Sequence, residues 1–464
     1  MVSAILIGAG QRGAEAYAPY ALIHPKEIQF LAVAEPDAQR RLKFAAAHNI
    51  PIDRQFETWE DLLQEPRLAD AAIVATQDWQ HTAPALAAMR KGYHLLLEKP
   101  MATRLEDCQE LVETSRVTGS QLHICHVLRY TRHFRLMRDL IQSGSIGDVV
   151  DVDHRENVSF WHMAHSYVRG NWRNADQSSP MILAKCCHDL DVLPWVFNSH
   201  PLKLSSQGNL LHFRPENAPA GAPLRCTDGC PISETCPYYA PHIYLEKTPF
   251  WHSFSETSTR RFERWMTSTY IKSPQFVHLL QNFYPAIRQI SEYKGWPLTV
   301  VASEPTRENI IKALQTGPYG RCVYRCDNDV VDHQVVQMLF DNQATVTLTM
   351  HGHSPIEHRS TRIEGTRGQI QGIFGNGGAW LTVENHRTRS RKRYDTSPPT
   401  GERHGGGDFQ LMADFIASVR RGGNSPELLK AAEEALASHS LAFAAEEARK
   451  LGPVIDIKHW APAE

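Results

Sequence analysis

The sequence predicts an α/β protein: a doubly wound parallel sheet first, then an α+β domain with an open, mostly antiparallel sheet and an insertion. Three observations predict it. Short apolar runs alternate with helical patterns through the first 126 residues, the signature of βα units. Strand patterns beyond residue 331 instead alternate polar with apolar residues, as half-exposed strands do. The chain has 464 residues, whereas one domain usually takes about 100–200.

The elements follow in order. Residues 2–7, apolar apart from Ser3, read as a buried parallel strand. Residues 30–34, 71–75, 94–97 and 122–125 read the same way. Thr58 with Asp61 and Thr103 with Glu106 have the spacing of capping boxes that start helices. Past residue 127, 149–154 reads as a strand. Residues 183–197 read as a helix with a kink at Pro194, stopped by Asn198-Ser199-His200-Pro201. Residues 344–350, 360–364, 369–374 and 380–384 are strand candidates, with a hairpin turn at Asp341-Asn342-Gln343. Residues 408–451 are helical and should pack back on the body. The division expected is 1–126 for the first domain and 127–464 for the second, with an insertion at about 201–325.

Composition narrows the function classes. There are 49 Lys+Arg against 51 Asp+Glu, a net charge of −2, which gives no broad electrostatic reason to bind nucleic acid. Apolar residues are 42% and charged residues 22%, so neither disorder nor a membrane protein is indicated. No window of 18 apolar residues occurs, and residues 2–7 run straight into a glycine loop without a signal-peptide pattern. A cytoplasmic protein is expected.

Gly8-Ala9-Gly10-Gln11-Arg12-Gly13 is G-x-G-x-x-G directly after a strand and opening a helix. Gly8 permits the tight turn, Gly10 lets backbone approach a pyrophosphate, and Gly13 lets the helix pack on the strand. Glu35 ends the second strand, 22 residues after Gly13. A carboxylate there accepts from ribose hydroxyls and repels a 2′-phosphate, which favours NAD over NADP. Arg40 and Arg41 keep NADP as the alternative. Glu98-Lys99-Pro100 stands at the end of another parallel strand, where ligands of such sheets bind. Lys99 there is suited to bond a substrate hydroxyl; a surface Glu–Lys pair before a turn is the other reading.

Together with these motifs, Ala75-Thr76 with His81, Leu128-Arg129-Tyr130 and His188-Asp189-Leu190-Asp191 resemble the Gfo/Idh/MocA oxidoreductases. The resemblance covers the first 200 residues and resumes from about 330. It implies a Rossmann domain joined to an α/β domain, a nicotinamide cofactor, a sugar, polyol or derivative as substrate, and a homodimer or homotetramer. It implies that Gln11, Arg12, Thr76, His81, Glu98 and Lys99 join the glycines and Glu35 around the cofactor. Lys99 matches the lysine that contacts the substrate hydroxyl, and His188 the acid/base histidine. Asp191, at i+3 from His188, shares its helix face and is expected to orient the imidazole or support a basic group. Arg129 and Tyr130 are carried over as substrate contacts. The sequence departs from the pattern in one place: many members carry Asp or Asn four residues before the histidine, and here that is Ala184, followed by Lys185. Lys185 is expected to act as a second cation for an acidic sugar or a second proton carrier.

Residues 160–176 are rich in pocket-type side chains. Trp161, His162, His165, Tyr167, Arg169, Asn171, Trp172 and Arg173 all fall here, with His162, Trp172 and Arg173 foremost as substrate contacts. Loop 404–408 is a second candidate. Five of the nine cysteines are clustered: Cys226, Cys230 and Cys236, then Cys322 and Cys326. Four thiolates, with Cys322 or Cys326 as the fourth, would make a structural zinc site. An iron–sulfur cluster and plain buried thiols are the other readings. Three functions are open: NAD-dependent dehydrogenation of a sugar or polyol, glycoside cleavage by transient oxidation and elimination, and a non-catalytic nicotinamide-binding regulator.

Overall fold

In the computed structural model, the described residues are 1–257, 261–272, 292–376, 378–398, 404–422 and 426–461. Six parallel strands, β1 (Val2–Ile7), β2 (Ile28–Ala34), β3 (Gln55–Phe56), β4 (Ala71–Val74), β5 (His94–Leu97) and β6 (Leu122–Ile124), form one sheet in the order β3-β2-β1-β4-β5-β6. The order reverses direction between β1 and β4, which opens a crevice at the carboxyl ends of those strands. Buried side chains cover both faces of the sheet, so its strands are apolar on both sides rather than alternating.

The second sheet has nine strands in the order β14-β13-β12-β11-β7-β10-β9-β8-β15. These are β7 (Val149–Ser159), β8 (Pro201–Asn209), β9 (His333–Phe340), β10 (Thr345–Ser354), β11 (His358–Gly365), β12 (Gly368–Gly375), β13 (Gly378–Asn385), β14 (Arg391–Asp395) and β15 (Ile455–Asp456). Only β7 and β10 pair in parallel; every other pair is antiparallel. The helix Met181–Phe197 packs on one face in a single large apolar cluster. It ends at Asn198 in the left-handed conformation, as the stop signal predicts.

Three details differ from the sequence expectation. The 201–325 segment does not begin as an insertion: residues 201–209 are β8, bonded to β9 and β15. Its burial alternates irregularly over a polar sequence, which hid the strand. Thr103 does not cap the following helix. The cap position is Arg104, without a side-chain bond, whereas Thr58 accepts from the Asp61 N–H as expected. The C-terminal helices also belong partly to the first domain. Leu411, Met412, Phe415 and Ile416 of the helix Gly407–Arg421 repeat on one helical face and are at most 1% exposed against the parallel sheet. At about 1.5–3 kcal/mol for each fully buried side chain, that helix is integral to the first core.

Candidate active site

The glycine loop fits a dinucleotide. A Cβ on Gly8 would stand 2.6 Å from the Ala75 carbonyl oxygen, and one on Gly13 2.2 Å from the Gly8 carbonyl oxygen. These two glycines are required by the fold itself. A Cβ on Gly10 would meet nothing within 4 Å, so its glycine is explained by close approach of a ligand. Glu35 is buried at the end of β2, and its carboxylate accepts from the Ala9 N–H at 2.7 Å and the Asp37 N–H at 3.1 Å. Arg41 donates to the carbonyl oxygens of Glu35 and Pro36. Gln11 is exposed on the loop. Arg12 is not free to meet phosphate. Its guanidinium bonds Glu98, Tyr17 and, at 2.9 Å, Asp408. Asp408, from the 404–408 candidate loop, is thus part of this buried network. Arg12 and Lys99 hold the Glu98 carboxyl below its usual range despite burial.

Lys99 follows β5 and sits partly exposed before a cis bond to Pro100. Its Nζ donates to the carbonyl oxygen of Ala184 at 2.9 Å, which ties the end of the parallel sheet to the 181–197 helix. One turn on, His188 is partly exposed, and its buried Nδ1 has no partner among the described residues. Desolvation, then the charge of Lys99, then His126, push the His188 imidazole well below its ordinary range. It is therefore neutral near pH 7 and able to accept a proton. His126, which sequence reasoning missed, stands with its ring centroid 5.8 Å from that of His188 and is itself held neutral by burial. His81 backs this loop, with Nδ1 2.7 Å from the Pro100 carbonyl oxygen and Nε2 3.3 Å from that of Thr76.

Two carried-over contacts are engaged elsewhere. Arg129 grips the fully buried Asp191 through two bonds of 2.7 Å and bonds Glu434 with its remaining nitrogen at 2.7 Å. Asp191 thus supports a basic group, Arg129, rather than the His188 ring. Tyr130 donates to Asp414 at 3.0 Å. Lys185 is not a free cation but is held between two carboxylates. Its Nζ lies 2.7 Å from Glu357 and 3.4 Å from Glu156, and these carboxylates raise its pKa further. The same group includes His162, whose Nδ1 lies 2.5 Å from Glu357, and Arg359, which pairs with Glu156 and Asp189.

Residues 160–176 divide in the structure. Trp172 donates its indole N–H to Asp78 at 2.7 Å and lies 5.9 Å, ring to ring, from Tyr167. Tyr167 feels the charges of Lys185, Glu357 and Asp78, and so stands between the two groups. Tyr167 is buried in the core of the second domain, and Trp172 packs partly exposed against it. Arg173 instead pairs with Asp327, His165 with the Tyr244 hydroxyl, and Arg169 turns toward the cysteines. Glu357 and Asp78 had no motif to reveal them, because their partners are distant in sequence. In loop 404–408, Gly405 and Gly406 have positive φ and lead into the helix at Gly407.

This fold and this cleft define a dinucleotide-binding α/β protein with a lysine–histidine pair at the carboxyl edge of its parallel sheet. Residues 2–126 match the oxidoreductase family with an NAD-binding Rossmann fold, and residues 134–248 the GFO/IDH/MocA C-terminal domain. The chain belongs to the Gfo/Idh/MocA family. It is 31% identical over 177 residues to the 1,5-anhydro-D-fructose reductase of Ensifer adhaerens, 37% of this chain and 50% of that protein. It is 28% identical over 156 residues to the 2,7-anhydro-N-acetylneuraminate hydratase of Escherichia coli (strain K12), 33% of this chain and 41% of that protein. The chain thus matches half or less of the length of these curated relatives. An oxidoreductase from Agrobacterium radiobacter, solved in complex with NAD+, L-tartaric acid and magnesium, shares the fold at a TM-score of 0.62 and 14% identity, over 98% of each chain. Among the described residues, no helix is long and apolar enough to cross a membrane.

Proposed function

We propose that this chain is an NAD-dependent oxidoreductase acting on a hydroxyl-bearing carbon of a sugar, polyol or sugar derivative. The observation that carries the reading is the Lys99–His188 pair. Lys99 is fixed by the Ala184 carbonyl, and His188 is neutral one helical turn away. Lys99 donates a hydrogen bond to the substrate hydroxyl oxygen and stabilises the negative charge that builds there. His188 takes the hydroxyl proton as the C–O bond becomes a carbonyl. A bound nicotinamide would supply the hydride acceptor for that carbon. Trp172, partly exposed and backed by the buried Tyr167, offers a ring face for a sugar to stack on. Gly8, Gly10, Gly13 and Glu35 would hold the dinucleotide, and the Glu35 carboxylate disfavours a 2′-phosphate, which supports NAD.

The test is a panel of sugars and cyclitols followed by reduced-cofactor absorbance. Lys99→Met and His188→Asn should each lower kcat by about 10²–10⁴-fold with the Tm unchanged. Variants as active as the parent would reject the assignment, and a silent panel would reject net dehydrogenation.

A second reading, transient oxidation with elimination and addition of water, is favoured by the His162–Glu357–Lys185 group beyond Tyr167. It has the second set of proton-handling side chains such steps require, and it predicts solvent deuterium entering the product with no net reduced cofactor. The cytoplasm, and a homodimer or homotetramer on the sheet face that carries Asp153, Arg362, Gln371 and Trp380, belong to the same proposal. Light scattering reads the assembly. The cysteine-bearing segment serves as scaffold in either reading.

A further inference from the structure

Two distant stretches of chain bring the clustered cysteines together. The Cys226 N–H donates to the Gly320 carbonyl at 2.8 Å, and the Cys322 N–H to that of Leu224 at 2.9 Å. Arg225 and Arg321 form an antiparallel bridge between these two bonds, so Cys226 and Cys322 lie side by side. The chain then doubles back after Cys226. Ser233 N–H bonds the Cys230 carbonyl at 3.3 Å, and Cys236 N–H the Ile232 carbonyl at 2.9 Å. As a result Cys226, Cys230, Cys236 and Cys322 all line one cavity of about 10 Å³. That is the room of a single water-sized sphere. It suits one ion and is too small for a four-iron cluster. Cys326 does not line it; its thiol donates to the Cys322 carbonyl at 3.3 Å.

An independent observation points into the same cavity. Arg169 also lines it and is fully buried. Its Nε donates to the Arg321 carbonyl at 2.7 Å and its Nη2 to the Tyr238 carbonyl at 2.7 Å, with the Cys226 sulfur at 3.5 Å. Its Nη1 is buried without a hydrogen-bond partner among the described residues. Among the described residues, no carboxylate pairs with this guanidinium; Cys226, Tyr244, Cys326, Cys322, Cys236 and His165 are among the ionisable groups near it. A buried cation without a counter-charge is costly, so the protein is expected to place negative charge here. Neutral thiols would leave Arg169 without a counter-charge. A divalent metal reverses that, because its ligands must be thiolates.

We propose that Cys226, Cys230, Cys236 and Cys322 bind one zinc ion as a four-thiolate structural centre, with Arg169 as its buried counter-cation. Four thiols release four protons on binding Zn²⁺, which leaves a centre of charge −2 that Arg169 half neutralises. Four sulfur donors with no room for a further ligand are the pattern of structural zinc. The four side chains face the cavity without converging: among the described residues, no three His, Cys, Asp or Glu side chains lie close enough to hold an ion as they stand. Binding therefore closes the 226–236 turn. Asp228, Gly229, Pro231, Glu234 and Thr235 on that turn are exposed, so it closes without repacking a core. Arg169 ends the stretch that also bears His162 and Tyr167, so the centre anchors that stretch.

The test uses the full-length chain purified without chelator. Elemental analysis should find one zinc ion per chain. Cys230→Ser and Cys236→Ser should lose it at least tenfold, and Cys326→Ser should keep it. Chain produced on cobalt should show the thiolate-to-cobalt charge-transfer absorption of a tetrahedral sulfur site, and a mercurial that titrates thiols should release the metal in step. The cobalt spectrum and the titration need no variant, so they decide the matter if the serine variants do not fold. Wild-type chain without zinc, chain with stoichiometric iron, or a disulfide joining any of the four cysteines would each overturn the proposal. None of these readouts depends on turnover, so they stand apart from the oxidoreductase reading.

Discussion

Arg129→Met separates a structural arginine from a substrate contact. The substitution keeps an apolar stem and removes every donor. Asp191, 1% exposed, then loses both of its bonds of 2.7 Å, and Glu434 loses its one. Breaking a buried pair from one side costs about 3–5 kcal/mol, because the remaining charge is stranded. Burial already holds the Asp191 carboxyl above its usual range even with Arg129 present. Without Arg129 it rises further, and the variant escapes part of the cost by taking up a proton. A carboxyl whose folded pKa is raised contributes stability below its unfolded pKa and loses it as pH rises through the folded value. The deficit of the variant against the parent should therefore be largest at pH 8 and narrow toward pH 5. Arg129→Met with Asp191→Leu should recover most of the loss, since an apolar pair is often as stable as a buried ion pair. Thermal and urea unfolding across pH, with KM measured alongside, is the assay. A single variant that unfolds like the parent while its KM rises would refute the reasoning and return Arg129 to the substrate.

Three further outcomes are expected. Gly13→Ala forces a Cβ to 2.2 Å from a carbonyl and should lower the Tm, whereas Gly10→Ala meets nothing and should leave the Tm alone while weakening NAD binding; calorimetry on both variants separates fold from ligand. Burial lowers the pKa of His123 to about 4 and of His133 and His439 to about 3. The unfolded chain protonates these groups near pH 6.5, so their stability is present above that pH. It is lost as pH falls, by up to about 1.4 kcal/mol per unit for each; a urea midpoint that stays flat from pH 7 to 5 would contradict this. Glu35→Ser removes the carboxylate at the end of β2, and the ratio of kcat/KM for NAD over NADP should fall at least tenfold; an unchanged ratio would show that Glu35 does not set the preference.

What was legible in the sequence was local. Strand, glycine loop and Glu35 lie within one βα unit, and their spacing is the chemistry. His188 and Asp191 were legible as one helix face. What was not legible depends on strands that meet late. Whether Lys185 is a free cation is decided by Glu156 on β7 and by Glu357 before β11. These carboxylates are 29 and 172 residues from Lys185 in the sequence. Arg12 carries no sign of Asp408, 396 positions away. Arg169 read as a pocket donor because its neighbours are aromatic, yet its partners are backbone carbonyls and a sulfur of the insertion.

Ala184 shows what the departure from the family pattern does. Many members carry an acid or amide there; this chain anchors Lys99 with the backbone carbonyl of the same residue. A carbonyl holds the ammonium without cancelling its charge, so Lys99 adds to the burial that keeps the His188 imidazole low. Ala184→Asp would put a carboxylate four residues before His188 and screen that charge. The His188 pKa should then rise, and the acid limb of kcat/KM should move to higher pH. Ala184→Asn, of similar size and without charge, should leave the limb in place, which separates electrostatics from crowding at a site only 2% exposed. A limb that is unmoved in the aspartate variant, with Tm and NAD affinity retained, would show that Lys99 does not tune the base.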